Sequence, residues 1–385
     1  MKNDLFDLSE VPTALGTGLI ALDVVINTDH KSRPHLYAGG TCGNVLTILS
    51  YLGWQSYPVA RLSSDAAAKV VINDFKKWGI KMDFAHLHPL SDTPIVIERI
   101  KRLQSGHVIH RFSWTCPNCG AWLPGYKPVL ATSIRNITPK LGTPKVFFFD
   151  RLSRGAIELA KACANLGAVI VFEPSGMGDP SLFAEALDYV HILKYSNERM
   201  NEMSGKETVS GPFLIIETLG ADGLRYRSEL PRCKSASWQT ATSCKVGELK
   251  DAAGAGDWCT AGILHVIASH GLEGLQNVTK EDLQRAISFG QAMAAWNCQY
   301  EGARGGMYHV DAQTFRAEVS RILFGQTINM TIHKLASEKN GVVLKCMAPG
   351  CSHKKKVRKE ANKKMSRTTN KVIHSVINAT NGRKR

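Results

Sequence analysis

A chain of 385 residues, 44 % of them apolar and 21 % charged, is long enough to bury a full core and rather long for one α/β enzyme domain, which points to an insertion or an appended segment. No apolar run reaches the roughly 18 residues that span a bilayer, and Met1 to Thr13 mixes Lys2, Asp4, Asp7 and Glu10 into its start, so the sequence reads as neither membrane-spanning nor led by a signal peptide, and as cytoplasmic. The net charge of +15 is concentrated at one end: from Lys345 onward 13 Lys and Arg face a single acid, Glu360, leaving +3 for the rest, so a nucleic-acid argument applies to the tail alone.

Gly16-Thr17-Gly18-Leu19-Ile20-Ala21 formally satisfies the dinucleotide pattern GxGxxA. That pattern needs a strand before it and a helix after it, yet Pro12 stands upstream and Ala21 to Ile26 is a β-type run, so the pattern is rejected. A first strand that leaves Asp23 at a loop is the better expectation. From Ala38 to Gly53, the pair Gly39-Gly40 leads into Val45, Ile48, Leu49 and Leu52 at helical spacing, with Gly53 as terminator. Paired glycines let a backbone approach a ligand, and Asn44 offers hydroxyls both a donor and an acceptor. A short strand at Val59 to Ser63, a helix at Ala66 to Trp78 closed by Gly79, and a strand at Thr93 to Ile100 follow.

Lys145 to Asp150, with three phenylalanines, reads as a buried central strand, Arg154 to Leu166 as a helix and Ala168 to Glu173 as the next strand. Such alternation implies a parallel sheet with helices on both faces and ligands at the carboxyl ends of the strands, where Glu173 stands. Ile192 to Gly205 contains Asn197-Glu198-Arg199-Met200, and Leu214 to Glu217 is a strand running into Thr218-Leu219-Gly220-Ala221-Asp222-Gly223. The last composition suits both a phosphate-holding loop and a plain hairpin.

Asp251 to Leu264 is the most informative stretch. Gly254-Ala255-Gly256 is a small-residue turn feeding a helix whose apolar spacing begins at Trp258, and the first turn of a helix is a natural anion site. Asp257 stands at its mouth. A carboxylate there costs electrostatic energy, which suggests a base that takes a proton from a hydroxyl while N–H groups hold a migrating phosphoryl; an N-cap Asp on a buried helix is the bland alternative. Ile287 to Asn297 is a further helix, followed by the glycine-rich turn Glu301-Gly302-Ala303-Arg304.

The Asp257 stretch and the Gly39-Gly40 to Asn44 stretch, in this order and about 200 residues apart, resemble the two signatures of the ribokinase-like (PfkB) carbohydrate kinases. The resemblance spans roughly residues 14 to 320. It implies an α/β three-layer sandwich around a mostly parallel sheet, within a kinase domain of residues 1–330, and a small β lid drawn from about 24–37 and 93–128. It implies transfer of the γ-phosphate of ATP, with Mg²⁺, to a hydroxyl of a sugar or sugar-like substrate, a nucleoside being the near alternative; a homodimer is compatible with it. Carried over by motif, Asp257 becomes the base, Gly254, Ala255 and Gly256 the anion hole, and Asp23, Gly39, Gly40 and Asn44 the sugar contacts. Asn197, Thr218, Gly220, Gly223, Asp251 and Asn297 become nucleotide contacts, with a monovalent cation such as K⁺ near Asp251. Three positions depart from the family: Ala252 replaces the usual Thr or Ser, Ser64 a Gly, and Met200 the Glu of Asn-x-x-Glu that acts on magnesium, for which Glu198 or Glu202 could substitute.

Two features lie outside the resemblance. Ten cysteines without a signal peptide read as reduced thiols or metal ligands. Cys116-Pro117-Asn118-Cys119-Gly120, an insertion at 110–128, and Cys346 to Cys351, followed by His353, each resemble half a zinc ribbon. Four thiolates suit a tetrahedral Zn²⁺, although 226 positions separate Gly120 from Cys346 and unrelated surface thiols are the alternative. The basic extension, residues 331–385, reads as a solvated tail or as a non-specific, salt-sensitive contact to nucleic-acid phosphate. The competing class is thus a catalytically lapsed kinase fold acting as a zinc-containing nucleic-acid-binding protein.

Overall fold

The computed structural model describes residues 5–27, 34–88, 91–103, 108–200 and 211–326. In chain order its first half runs β1 (Thr13–Thr17), β2 (Ala21–Asn27), β3 (His35–Gly39), α1 (Thr41–Tyr51), β4 (Gln55–Pro58), β5 (Ala60–Leu62), α2 (Ala66–Lys77), β6 (Ala85–Leu87), β7 (Ile95–Arg102), β8 (Val108–Ser113) and α3 (Ala131–Ile137). The second half runs β9 (Val146–Phe149), α4 (Arg154–Asn165), β10 (Val169–Phe172), α5 (Pro180–Leu187), β11 (Ile192–Ser196), β12 (Leu214–Thr218), β13 (Leu224–Ser228) and β14 (Gln239–Ala241). It closes with α6 (Ala255–Ile267), α7 (Gly271–Gln276), α8 (Lys280–Asn297) and α9 (Ala312–Leu323).

Eight strands form the main sheet in the order β14-β13-β12-β11-β10-β9-β1-β4, parallel from β4 through β12 and antiparallel at the β13 and β14 edge. The apolar runs explain why it is buried on both sides. Successive side chains on a strand point to opposite faces, and a parallel sheet covered by helices is apolar on each. Val146 and Phe148 of β9, Val169 and Val171 of β10, and Leu214 and Ile216 of β12 pack into one core with α1, α6, α8 and α9. Their alternates Phe147, Phe149, Ile170, Phe172 and Ile215 pack into a second core with α3, α4 and α5. Each large side chain so enclosed contributes roughly 1.5–3 kcal/mol. This is the three-layer α/β arrangement expected.

The helix boundaries follow local chemistry. Asp65 caps α2 by accepting from the Ala68 N–H at 2.7 Å, and Thr279 and Asp282 form a reciprocal capping box on α8. A second, four-stranded sheet in the order β3-β2-β7-β8 stands where the lid segments were expected. One expectation fails here: Asp23 is not at a loop. It lies inside β2, opposite Tyr37 of β3 and Val96 of β7. The chain turns at Gly18 to Ile20 and re-enters strand structure at once, which also confirms that no helix follows the GxGxxA pattern. β4 was not foreseen, because Gln55–Pro58 is too polar and too short to show strand alternation. No described helix is long and apolar enough to cross a membrane.

Candidate active site

The site begins at the amino end of α6. Gly254, at φ 74°, is the residue before that helix, and a Cβ on it would overlap the backbone of Ala303. The turn therefore has to be glycine. Of the three residues assigned to the anion hole, Ala255 is corrected: its N–H donates to the Ala252 carbonyl at 3.2 Å. The N–H groups of Gly256 and Asp257 have no carbonyl one turn back inside the helix, and these are the donors an anion would meet.

Asp257 is buried in this first turn, and its Oδ2 accepts from Asn44 Nδ2 at 2.7 Å. Burial and then the neighbouring Glu173 carboxylate push its pKa up to about 7, against the pull of Asn44, Lys194 and Arg199. Glu173, just past the end of β10, is itself held by Lys194 Nζ at 2.8 Å and by the Thr260 hydroxyl at 2.6 Å. Desolvation lowers the Lys194 pKa, but Glu173, Cys259 and Asp257 together outweigh it and leave it raised. A carboxyl poised near neutrality and flanked by a buried cation suits proton abstraction beside a phosphoryl group.

The substrate-side assignments fall beside it. Asn44 lies in α1 immediately after Gly39 and Gly40. Gly39 is small for the sake of Asp23, whose carboxylate occupies the space a Cβ would take, and a Cβ on Gly40 would overlap the Leu19 carbonyl. Both glycines are thus required by packing inside the protein. Asp23 keeps some surface open, yet desolvation raises its pKa to about 7, with Arg304 and the Gly40 N–H lowering it. Arg304, read from sequence only as part of a glycine-rich turn, is 2 % exposed and donates from Nε to Asn44 Oδ1 at 3.0 Å. Its pairing with Asp74 of α2 at 2.8 Å was not foreseen; the only signal was a cation embedded among small residues.

The residues expected on the nucleotide side divide into two groups. Asn197 donates its N–H to the Thr218 carbonyl at 3.1 Å, which places the ends of β11 and β12 together. Gly220 and Gly223 form the β12–β13 hairpin turn, closed by Leu219 N–H on the Gly223 carbonyl at 2.8 Å. Asp251 and Asn297 instead clamp the turn after α8. Asp251 accepts from Ala253 N–H at 3.0 Å and Gly302 N–H at 2.8 Å, and Asn297 donates to the Ala303 carbonyl at 3.1 Å. The four-stranded sheet reaches this clamp: burial and the Asp251 charge push Glu98 of β7 well up, and His110 of β8 lies 3.7 Å from Asp251.

Met200 is buried in the second core with Phe172 and Tyr195, so it does not stand in for a metal-directed carboxylate. Glu198 is exposed, and Glu202 lies outside the described residues. The carboxylate adjacent to Asp257 is Glu173. Met200→Glu is accordingly expected to destabilise the chain by roughly 2 kcal/mol or more in chemical denaturation, because it buries a carboxyl among apolar side chains. An unchanged denaturation midpoint would show that this side chain can reach water.

Cys116 is buried and Cys119 exposed in a turn closed by Gly120 N–H on the Cys116 carbonyl at 2.9 Å, whereas Cys346 and Cys351 lie outside the described residues, as does the basic tail. Among the described residues no group of three or more His, Cys, Asp or Glu side chains could hold a metal ion.

Residues 152–309 match the family model described as pfkB family carbohydrate kinase. No curated protein matches the chain. Among solved structures, ribokinase from Arabidopsis thaliana, complexed with ribose and ATP, is 18 % identical with a TM-score of 0.59, covering 82 % of this chain and 99 % of that one. Fructokinase from Xylella fastidiosa with bound ATP is 16 % identical at 0.61, covering 81 % and 98 %. Burkholderia thailandensis nucleoside kinase in complex with inosine is 16 % identical at 0.57, covering 81 % and 97 %. The chain therefore has the ribokinase fold, within which residues 152–309 match the pfkB family carbohydrate kinase model.

Proposed function

We propose that this chain is an ATP-dependent kinase that transfers the γ-phosphoryl group to a hydroxyl of a sugar or nucleoside. The observation that carries the reading is Asp257: a buried carboxylate with a pKa of about 7, in the first turn of a 13-residue helix, oriented by Asn44. In its ionised form Asp257 takes the proton of the acceptor hydroxyl. The oxygen then bonds to the γ-phosphorus as the bond to the bridging oxygen of ADP breaks. N–H groups of Gly256 and Asp257 and the dipole of α6 hold the migrating phosphoryl. Asp23, Gly39, Gly40 and Asn44 are the acceptor side of this proposal, and Asn197, Thr218, Gly220 and Gly223 the nucleotide side.

A magnesium ion fits here as one carried on the nucleotide's phosphates, with Glu173 as the nearby carboxylate. When bound, it neutralises phosphoryl charge. K⁺ near Asp251 would share that carboxylate with the Ala253 and Gly302 N–H groups.

The test is ATP consumption by the full chain with Mg²⁺ and K⁺ against a panel of pentoses, hexoses, ketoses and nucleosides. Turnover on any member supports the kinase and names its substrate class. Intact ATP binding with no turnover across the panel would favour a binding protein built on a kinase fold.

A further inference from the structure

The guanidinium of Arg304 is held on two of its three nitrogens. Nε donates to Asn44 Oδ1 at 3.0 Å, and Nη2 donates to Asp74 Oδ2 at 2.8 Å and to the Ala38 carbonyl. Nη1 is equally buried and has no partner. The anchor is itself braced: Asp74 accepts from the Tyr308 hydroxyl at 2.8 Å and from the Ala38 N–H at 2.9 Å. Arg304 thus ties α1 to α2 and to the end of β3, and its plane is not free to turn.

Two consequences follow from hydrogen-bond chemistry. An amide has one acceptor end and one donor end. With Oδ1 of Asn44 facing the guanidinium, its Nδ2 must face Asp257, where it is found at 2.7 Å. The flipped amide would set donor against donor at Arg304 and oxygen against carboxylate at Asp257. The second consequence concerns Nη1. A buried charged donor without a partner is costly, and the charge of Asp23 acts on the Arg304 guanidinium that carries it. A carboxylate and a spare guanidinium N–H within electrostatic reach of each other suit a polyhydroxylated ligand, one hydroxyl donating to the carboxylate and one accepting from the guanidinium.

We propose that Arg304 is a substrate-positioning residue: it locks Asn44 toward Asp257 and holds Nη1 for an oxygen of a polyhydroxylated acceptor that Asp23 also binds. This rests on the kinase reading above. The test compares the full chain with Arg304→Lys and Arg304→Gln, using D-ribose, D-fructose and adenosine as acceptors, and reads kcat, KM, the pH profile and ATP affinity. ATP affinity is expected to stay within about twofold, and acceptor kcat/KM to fall about 10²-fold with KM raised, the scale of a misplaced reacting group. The acid limb of kcat/KM moves to higher pH, because an Asn44 free to turn no longer favours ionised Asp257. The other groups facing that carboxylate, Glu173 beyond β10, Lys194 of β11, Arg199 and Cys42 of α1, are unchanged. Lys does not restore the parent behaviour, since it lacks the fork that reaches Asn44 and Asp74 together.

Removing Arg304 leaves Asp74 without its cation, which destabilises the fold, so Asp74→Asn is the second variant. It keeps the guanidinium, loosens its anchor, and is expected to shift KM and the pH limb in the same direction by less. Parent-like KM and pH limb in folded Arg304→Gln, or a lowered melting temperature with neither moved, would overturn the inference. Absence of turnover by the parent chain on the whole panel would overturn the kinase reading, and this inference with it.

Discussion

Asp257→Asn is expected to lower turnover by about 10²–10⁴-fold, the usual cost of a missing general base, while ATP still binds. The amide keeps the shape of the side chain and can still accept from Asn44, so the loss reports proton transfer alone. The parent chain's kcat/KM should rise with pH through about 7 and level off above it, because the base acts as a carboxylate. That limb should vanish in the variant. Stability should move the other way. A carboxyl whose pKa is raised on folding stabilises the folded state only while protonated, and that contribution is lost as pH rises from the unfolded value near 4 through about 7. At pH 8 the variant, which carries no charge to bury, should therefore melt at or above the parent. Turnover within tenfold of the parent would remove Asp257 from the role of base.

Gly254→Ala is expected to be the more damaging change to the fold. A left-handed φ of 74° costs a non-glycine residue about 1–2 kcal/mol. The new Cβ also has to displace the backbone of Ala303, an overpacking of roughly 1–3 kcal/mol. That carbonyl cannot move freely, because it accepts from Trp258 Nε1 at 3.0 Å and from Asn297 Nδ2 at 3.1 Å. A total loss of about 2–5 kcal/mol in chemical denaturation follows, with activity lost because the helix start shifts. Gly220→Ala is the control. Its φ of 61° is also left-handed, but nothing lies within 4 Å of its missing Cβ, so only the backbone strain of about 1–2 kcal/mol should appear. Equal losses in the two variants would show that the Ala303 contact relaxes without cost.

The parallel sheet was legible because its strands are apolar throughout, and only strands covered on both faces have that pattern. Val146 to Phe149 and Val169 to Phe172 state it without help from the rest of the chain. Asp257 was legible for a different reason: Gly254, Ala255 and Gly256 leave no side chain to fill the helix mouth, so a carboxylate there needs an explanation. Asp23 was misplaced because a carboxylate in a strand beside apolar neighbours looks like a loop residue. Its strand position makes sense only once Gly39 is seen to vacate the space it occupies. Met200, a departure from the family motif in the sequence, packs in the second core, a placement that the motif alone does not carry.

Local periodicity and small-residue turns, acting over a few residues, therefore determined the layers of this protein, the helix that starts at the candidate site and the carboxylate proposed as base. Tertiary structure alone decided what that carboxylate touches. Asn44 meets Asp257 across 213 positions of chain, and Arg304 meets Asn44 across 260. Hydrogen bonds of that span leave no periodic trace, because the sequence records which groups are polar and only the closed fold records which of them are neighbours.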